Sequence, residues 1–380
     1  MKVALVHNFH SSDVPSGENG VVEAELAALR RAGVEVKVLA ADNDAMARDR
    51  SHPLRAAITV ATGRGLSPLD LLDGFEPDII HVHNLFPYFG TTWLQDAPAP
   101  LVTTLHNFRS LCANGYLFRD GEVCTLCPDG RRWSGVRHGC YRGSRLATVP
   151  LALGGRRGPS SDPLLRSSRR LLALSDRAVE VFRRAGVPPA IIERDWHFLP
   201  DDLVSGATDA ERGDHWLFVG RLTAEKGIDR LVEEWPPDRR LVIVGEGPMR
   251  AGLEMAAVGK RVEFRGGASR AAVVREMATA VGVVVPSLWY ETFGLVYIEA
   301  LAVGTPVLAF APNVVADAVA QEGTGLVAEW GKVAEAVSVA TTRFPAMGER
   351  CRDVFAARYS EAVFCERRPR LYEAVLGSAA

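Results

Sequence analysis

A charge excess of either sign is what this 380-residue chain most obviously lacks: 44 Lys and Arg stand against 46 Asp and Glu, a net of −2. A nucleic-acid partner is therefore not expected, because the basic footprint such binding needs is missing. No apolar run approaches the roughly 18 residues a membrane span requires. Met1–Lys2–Val3 runs straight into a strand pattern, so no signal peptide is expected and the expected address is cytoplasmic. Neither half carries the long glycine fingerprint of a dinucleotide fold, which argues against a nicotinamide enzyme. Cysteine is scarce, six in all. What is present is ordinary for a globular protein with large cores, 47% hydrophobic and 24% charged, and long enough for two to three domains.

Strand and helix patterns alternate from the start. Residues 3–7 read as a strand, 21–32 as an amphipathic helix stopped by Gly33, and 34–40 as the next strand. That is the opening of a doubly wound parallel sheet, whose ligands sit at the C-terminal strand ends. The loop between them, residues 8–20, contains Gly17, which either admits a phosphate or sugar or simply forms a turn. Strands at 77–83 and 101–106 end in His83 and His106, followed by Asn84 and Asn107, and both histidines are expected on one rim, as a polar substrate wall or as structural hydrogen-bonding residues. Residues 148–162 read as loop with some helix. The polar, turn-rich segment 201–214 reads as the linker. A second α/β pattern then begins, with strand ends delivering Arg221, Lys226 and the Gly245–Glu246–Gly247 loop to one edge. Arg221 and Lys226, a planar fork and a point charge, suit a pyrophosphate, although each alone fits a surface cation.

The chain is organised around residues 283–307. An apolar strand stops at Pro286–Ser287, a short loop follows, and a helical pattern covers 295–302 before Gly304 and Pro306 lead into the strand 307–310. Backbone N–H groups at Thr292, Phe293, Gly294 and Leu295 are orphan donors at a helix start and can hold a phosphate. Glu291 and Glu299 flank that start, and each can accept hydrogen bonds from hydroxyls. A phosphate between two polyols describes a nucleotide sugar. The competing reading makes both glutamates solvated charges.

Four cysteines, Cys112, Cys124, Cys127 and Cys140, fall within 29 residues. In a cytosolic setting this spacing suggests one structural zinc held by four thiolates rather than disulfides. Such a closed shell leaves no open position for catalysis.

Several segments together resemble glycosyltransferase family four, retaining enzymes of the GT-B fold: FVGRLTAEKGIDRL, LVIVGEGP, VPSLWYETFGLVYIEALAVGTPV and PSGENGVV with the helix after it. The cysteine segment resembles a subgroup carrying the same insertion. The resemblance implies two Rossmann-like domains facing across a cleft: residues 1–200 on the acceptor side with 360–380 crossing back, and residues 215–359 on the nucleotide-sugar side. It implies that Arg221 and Lys226 bind the diphosphate, Glu299 the ribose and Glu291 the donor sugar. Gly17 would approach the donor, His106 the reacting centre, and the donor would be a UDP- or GDP-sugar. Departures occur at Ser16–Gly17 in place of a glycine pair, at Leu199–Pro200–Asp201, and at Ala311–Pro312–Asn313.

No carboxylate stands at the N-terminal strand ends as a nucleophile, so the expected reaction is front-face attack without a required metal cofactor, the leaving diphosphate held by Arg221, Lys226 and the helix start. Two other readings stay open: a different GT-B enzyme such as an epimerase or phosphorylase, and a non-catalytic sugar-nucleotide module. The acceptor is not legible, whether small molecule, glycan or lipid. Its recognition is expected from loops 84–93, the cysteine insertion and 148–162, where Phe86, Tyr88, Phe89 and Trp93 either stack on ligand or pack. A lipid acceptor would imply peripheral membrane association, to which the basic cluster Arg367–Arg368–Pro369–Arg370 lends weak support, since a short charge run is usually a solvated face.

Overall fold

The computed structural model describes residues 1–10, 16–49, 51–204 and 211–377. Two six-stranded parallel sheets dominate it. The first contains β1 (Lys2–Phe9), β2 (Glu35–Asp42), β3 (Ile79–Asn84), β4 (Leu101–Leu105), β5 (Ser168–Ala173) and β6 (Ile192–Arg194), in spatial order β2-β1-β3-β4-β5-β6. The second contains β7 (His215–Val219), β8 (Arg240–Val244), β9 (Val262–Gly266), β10 (Gly282–Val285), β11 (Val307–Phe310) and β12 (Gly325–Ala328), in order β9-β8-β7-β10-β11-β12. Parallel strands covered on both faces are apolar throughout rather than alternating. Accordingly Val3–Val6, Leu241–Ile243 and Val307–Phe310 are all fully buried.

The chain divides into two compact units, Met1–Arg119 with Cys124–Trp196 and Phe364–Ala380, and Asp120–Val123 with His197–Val363. In each unit the strand order reverses once, between β1 and β3 and between β7 and β10. Loops leaving the strands on either side of such a reversal diverge and leave a crevice at the C-terminal ends. That crevice positions the candidate residues.

Three local expectations change. Residues 11–15 of the first loop lie outside the described segments, but Gly17 is the first residue of a helix, Gly17–Arg31, rather than a loop glycine. Ser16 Oγ accepts from the Asn19 N–H at 3.3 Å and starts that helix one turn early. The segment 148–162 is largely ordered structure: the helix Arg145–Gly154, capped by Ser144, runs through Pro150. Part of the linker segment is the short helix Asp201–Val204, and its residues 205–210 lie outside the described segments.

Candidate functional site

In the second unit the loops after β7 and β10 meet at the reversal point. Gly227, at φ +65°, closes the Glu225–Lys226 turn against the Pro286 carbonyl, where a Cβ would collide. The Leu288 N–H donates to the Glu225 carbonyl at 2.9 Å and ties the two loops together. Lys226 Nζ therefore sits on the Glu291 carboxylate and 5.4 Å from the Trp289 ring. Arg221 pairs with Glu225 at 3.1 Å and remains half exposed. The two cations thus already hold two carboxylates, and an incoming diphosphate must compete for them.

Gly294, at φ +98°, turns the chain into the helix Leu295–Ala302, with its Cβ position against Val315. The Tyr297 N–H donates to the Gly294 carbonyl at 3.0 Å, and the amides just before it stand at the positive end of the helix. Thr292 lies in the approach to the turn, and the Phe293 ring is packed edge-on against His197 and Tyr359. Glu291 and Glu299 are both buried, 7% and 5% exposed, so neither is a solvated helix-face charge. Glu299 accepts from Arg270 at 2.6 Å, a partner the sequence did not suggest. Asn313, expected only as a departure from a glycine turn, is a brace. It donates to the carbonyls of Ser287 at 2.9 Å and Phe310 at 2.7 Å while accepting from the Ala316 N–H. After β8, the Gly245 N–H donates to the Gly266 carbonyl, and the carbonyl of Glu246, the residue before Gly247, accepts from Leu222.

In the first unit His83 Nδ1 and His106 Nε2 are 2.8 Å apart, so the two strand-end histidines do meet. Neither side-chain end of Asn84 is spare: it accepts from the Phe86 N–H and donates to the Asn8 carbonyl. Beneath the histidines lies a charged cluster that sequence reading missed. Arg368 donates to Glu25 at 2.6 Å and to Asp195 at 2.5 Å, and all three are about 2% exposed. His81 links Tyr372 at 2.7 Å to Thr104 at 2.8 Å. The basic run 367–370 is therefore mixed, with Arg370 exposed and the two arginines before it held by carboxylates. Arg368 is buried, and Arg367 pairs with Asp195 at 2.7 Å. The one readable hint was the spacing of His81 and His83, two apart on a buried strand and so on one face.

Glu25, His81 and His83 place three ligand atoms within 4.8 Å of one another. The Arg368 guanidinium already occupies that corner, which makes it hostile to a cation. Burial holds His81 and His83 well below the usual imidazole range, and it lowers His106 against the pull of Glu18 and Glu25. Burial likewise brings His7 down from 6.5 to about 4. These histidines are neutral when folded but take up protons when unfolded below pH 6.5. Stability should thus be lost as pH falls from 6.5 toward 4, by at least roughly 1.4 kcal/mol per pH unit, one proton's worth. Urea unfolding at stepped pH checks this; a flat profile over that window would contradict the buried neutral histidines.

A cavity of about 340 Å³ opens beside His106, walled by Phe86, Arg109, Leu151 and Asp162 among others. Phe86 and Phe89 line it, whereas Tyr88 and Trp93 are core residues at 3% and 4% exposure. Arg109 lies 4.2 Å from the Phe86 ring centroid and 5.8 Å from that of Tyr141.

Cys112, Cys124, Cys127 and Cys140 are free thiols lining one small cavity with His138. Burial, reinforced by the neighbouring sulfurs, raises Cys127 and pushes Cys140 up to about 11. Cys351 and Cys365 are separate packing thiols near the carbonyls of Thr324 and Ala28.

Two doubly wound units, with a helix start flanked by buried carboxylates at the second unit's reversal point, define a GT-B glycosyltransferase fold. Sucrose-phosphate synthase from Thermosynechococcus elongatus superposes with a TM-score of 0.66 at 18% identity, covering 99% of each chain. An Anabaena protein solved with UDP-glucose gives 0.60 at 18% identity, over 98% of this chain and all of that one. The model for Glycosyltransferase Family 4 matches residues 15–194, and that for Glycosyl transferases group 1 matches residues 209–352. Both models describe glycosyltransferases, and between them they match most of the chain. A GDP-mannose-dependent alpha-mannosyltransferase of Mycobacterium tuberculosis is 29% identical over 99% of this chain and 97% of its own. A GDP-mannose-dependent alpha-(1-6)-phosphatidylinositol dimannoside mannosyltransferase of the same species is 34% identical over 171 residues. That match spans 43% of this chain and 44% of the relative, less than half of its length.

Proposed function

We propose that this protein transfers a sugar from a nucleoside-diphosphate sugar to an acceptor hydroxyl, with retention of the anomeric configuration. The observation that carries the reading is the Lys226–Glu291 pair held at the start of the helix Leu295–Ala302. The diphosphate displaces carboxylates from Lys226 and Arg221 and takes the helix-start amides. Glu291 is then released to accept from sugar hydroxyls, and Glu299, oriented by Arg270, from the ribose. The bond from the anomeric carbon to the β-phosphate oxygen breaks. The acceptor oxygen bonds to that carbon on the same face, and its proton passes to the leaving phosphate. Two cations and a helix dipole stabilise the departing charge, and no step runs through a metal ion. His106 and the cavity beside it are assigned to the acceptor. GDP-mannose is the first donor to try because it appears in the names of both mycobacterial relatives. UDP-glucose is the second.

Incubation with each donor in the absence of acceptor tests the reading. Slow release of the nucleoside diphosphate, above the buffer rate, is expected with one of them. A chain that is thermally stabilised by nucleotide yet releases none would instead be a binding module.

A further inference from the structure

The cysteine segment is an irregular lobe with little to hold it. Between β4 and the helix Arg145–Gly154 its regular structure amounts to the hairpin strands Phe118–Arg119 and Glu122–Val123 and a five-residue helix, Ser134–His138. Its fully buried apolar side chains are few, chiefly Phe108, Leu111 and Leu117. Leu117, Asp120 and Arg142 all carry positive φ, 52° to 54°. Such conformations are unfavourable for residues with a side chain and persist only where the surroundings over-determine them. A lobe this poor in core needs a cross-link, as small domains generally do.

Backbone geometry brings the four sulfurs to one place. The Cys112 N–H bonds back to the Phe108 carbonyl at 2.8 Å and the Cys124 N–H to Leu117 at 2.7 Å. Cys127 opens the turn closed by Gly130, and the Cys140 N–H bonds to Gly135 at 2.9 Å as the short helix ends. All four then line a cavity of about 10 Å³ together with His138 and Leu126. That is the room of a single water or ion, too little for an iron–sulfur cluster.

We propose that Cys112, Cys124, Cys127 and Cys140 hold one structural zinc ion, and that this ion fixes Arg109, on the wall of the neighbouring cavity, against Tyr141. Thiolates are the ligands a four-sulfur tetrahedral zinc site uses. On binding, four S–H groups lose their protons to solvent and four Zn–S bonds of about 2.3 Å form. The sulfurs must draw together for this, since no three of them are among the described ligand atoms lying within 4.8 Å of one another. Cys112 follows Arg109 by three residues and Cys140 precedes Tyr141, so the ion would pin both ends of the Arg109–Tyr141 contact.

The test uses the full chain purified without chelator or added metal. Elemental analysis should find about one zinc per chain, and chelator should remove it with a fall in thermal midpoint that zinc restores. Hydrogen exchange should then quicken across residues 107–141. Cys124→Ser should lose the zinc while keeping donor hydrolysis within about twofold. If that variant does not fold, cobalt titration of stripped wild-type protein reports four-sulfur tetrahedral ligation by its visible spectrum. Iron in place of zinc, two disulfides by mass spectrometry, or no cobalt uptake would each overturn the proposal. Intact nucleotide release alongside any of those outcomes would leave the transferase reading standing.

Discussion

Replacing Lys226 with alanine should lower turnover at saturating donor by roughly 10²–10³-fold, about 3–4 kcal/mol of transition-state stabilisation, the scale seen when one preorganised donor is removed. The fold should survive, because the side chain is at the surface of the unit, 20% exposed, and closes no core. Its position is fixed before any ligand arrives by the Gly227 turn, the Glu225–Leu288 backbone bond and the Trp289 face. Preorganisation of this kind lets a cation act on the departing diphosphate without first reorganising. The alanine variant also strands the buried Glu291 carboxylate beside the anion's seat, adding repulsion to the lost attraction. Glu291→Gln in the same background removes that repulsion and should recover part of the loss. Near-wild-type turnover of Lys226→Ala at saturating donor would remove Lys226 from the machinery.

The largest stability loss should come from Arg368→Met. Removing one partner from a buried ion cluster leaves uncompensated charge and costs about 3–5 kcal/mol. Here two carboxylates, Glu25 and Asp195, lose their shared guanidinium, and Arg367 remains on Asp195. Arg370, two residues on, is 72% exposed and pairs with Glu366 one turn away. Arg370→Met should therefore change stability by no more than about 0.5 kcal/mol. Urea unfolding of both variants, with the denaturant slope checked against wild type, separates them. Equal midpoints would mean the Arg368 cluster is not what closes the first unit.

That contrast also marks where the sequence stops being readable. Strand ends, helix starts and the Glu291–Glu299 spacing are local, so periodicity and turn chemistry expose them. Lys226 and Glu291 are 65 residues apart. They were still legible as neighbours because both leave strand ends at the same edge. Arg368 is 343 residues from Glu25 and 173 from Asp195. Nothing in three arginines within four residues tells a solvated side chain from a buried one. Arg270 likewise opens a helix like any surface cation, and only the fold lays it on Glu299. Gly17 was misplaced for a local reason: glycine and proline beside it look like turn chemistry, while Ser16 is in fact a cap.

The tail from Phe364 onward supplies Arg368, Tyr372 and Val375 to a core whose other members are all encoded before residue 197. A ribosome therefore finishes the second unit before the first can close. Until those final residues emerge, Glu25, His81 and Asp195 lie in an open seam. For the same reason, excising residues 1–196 as a stand-alone acceptor module would yield an unclosed fragment rather than half of an enzyme.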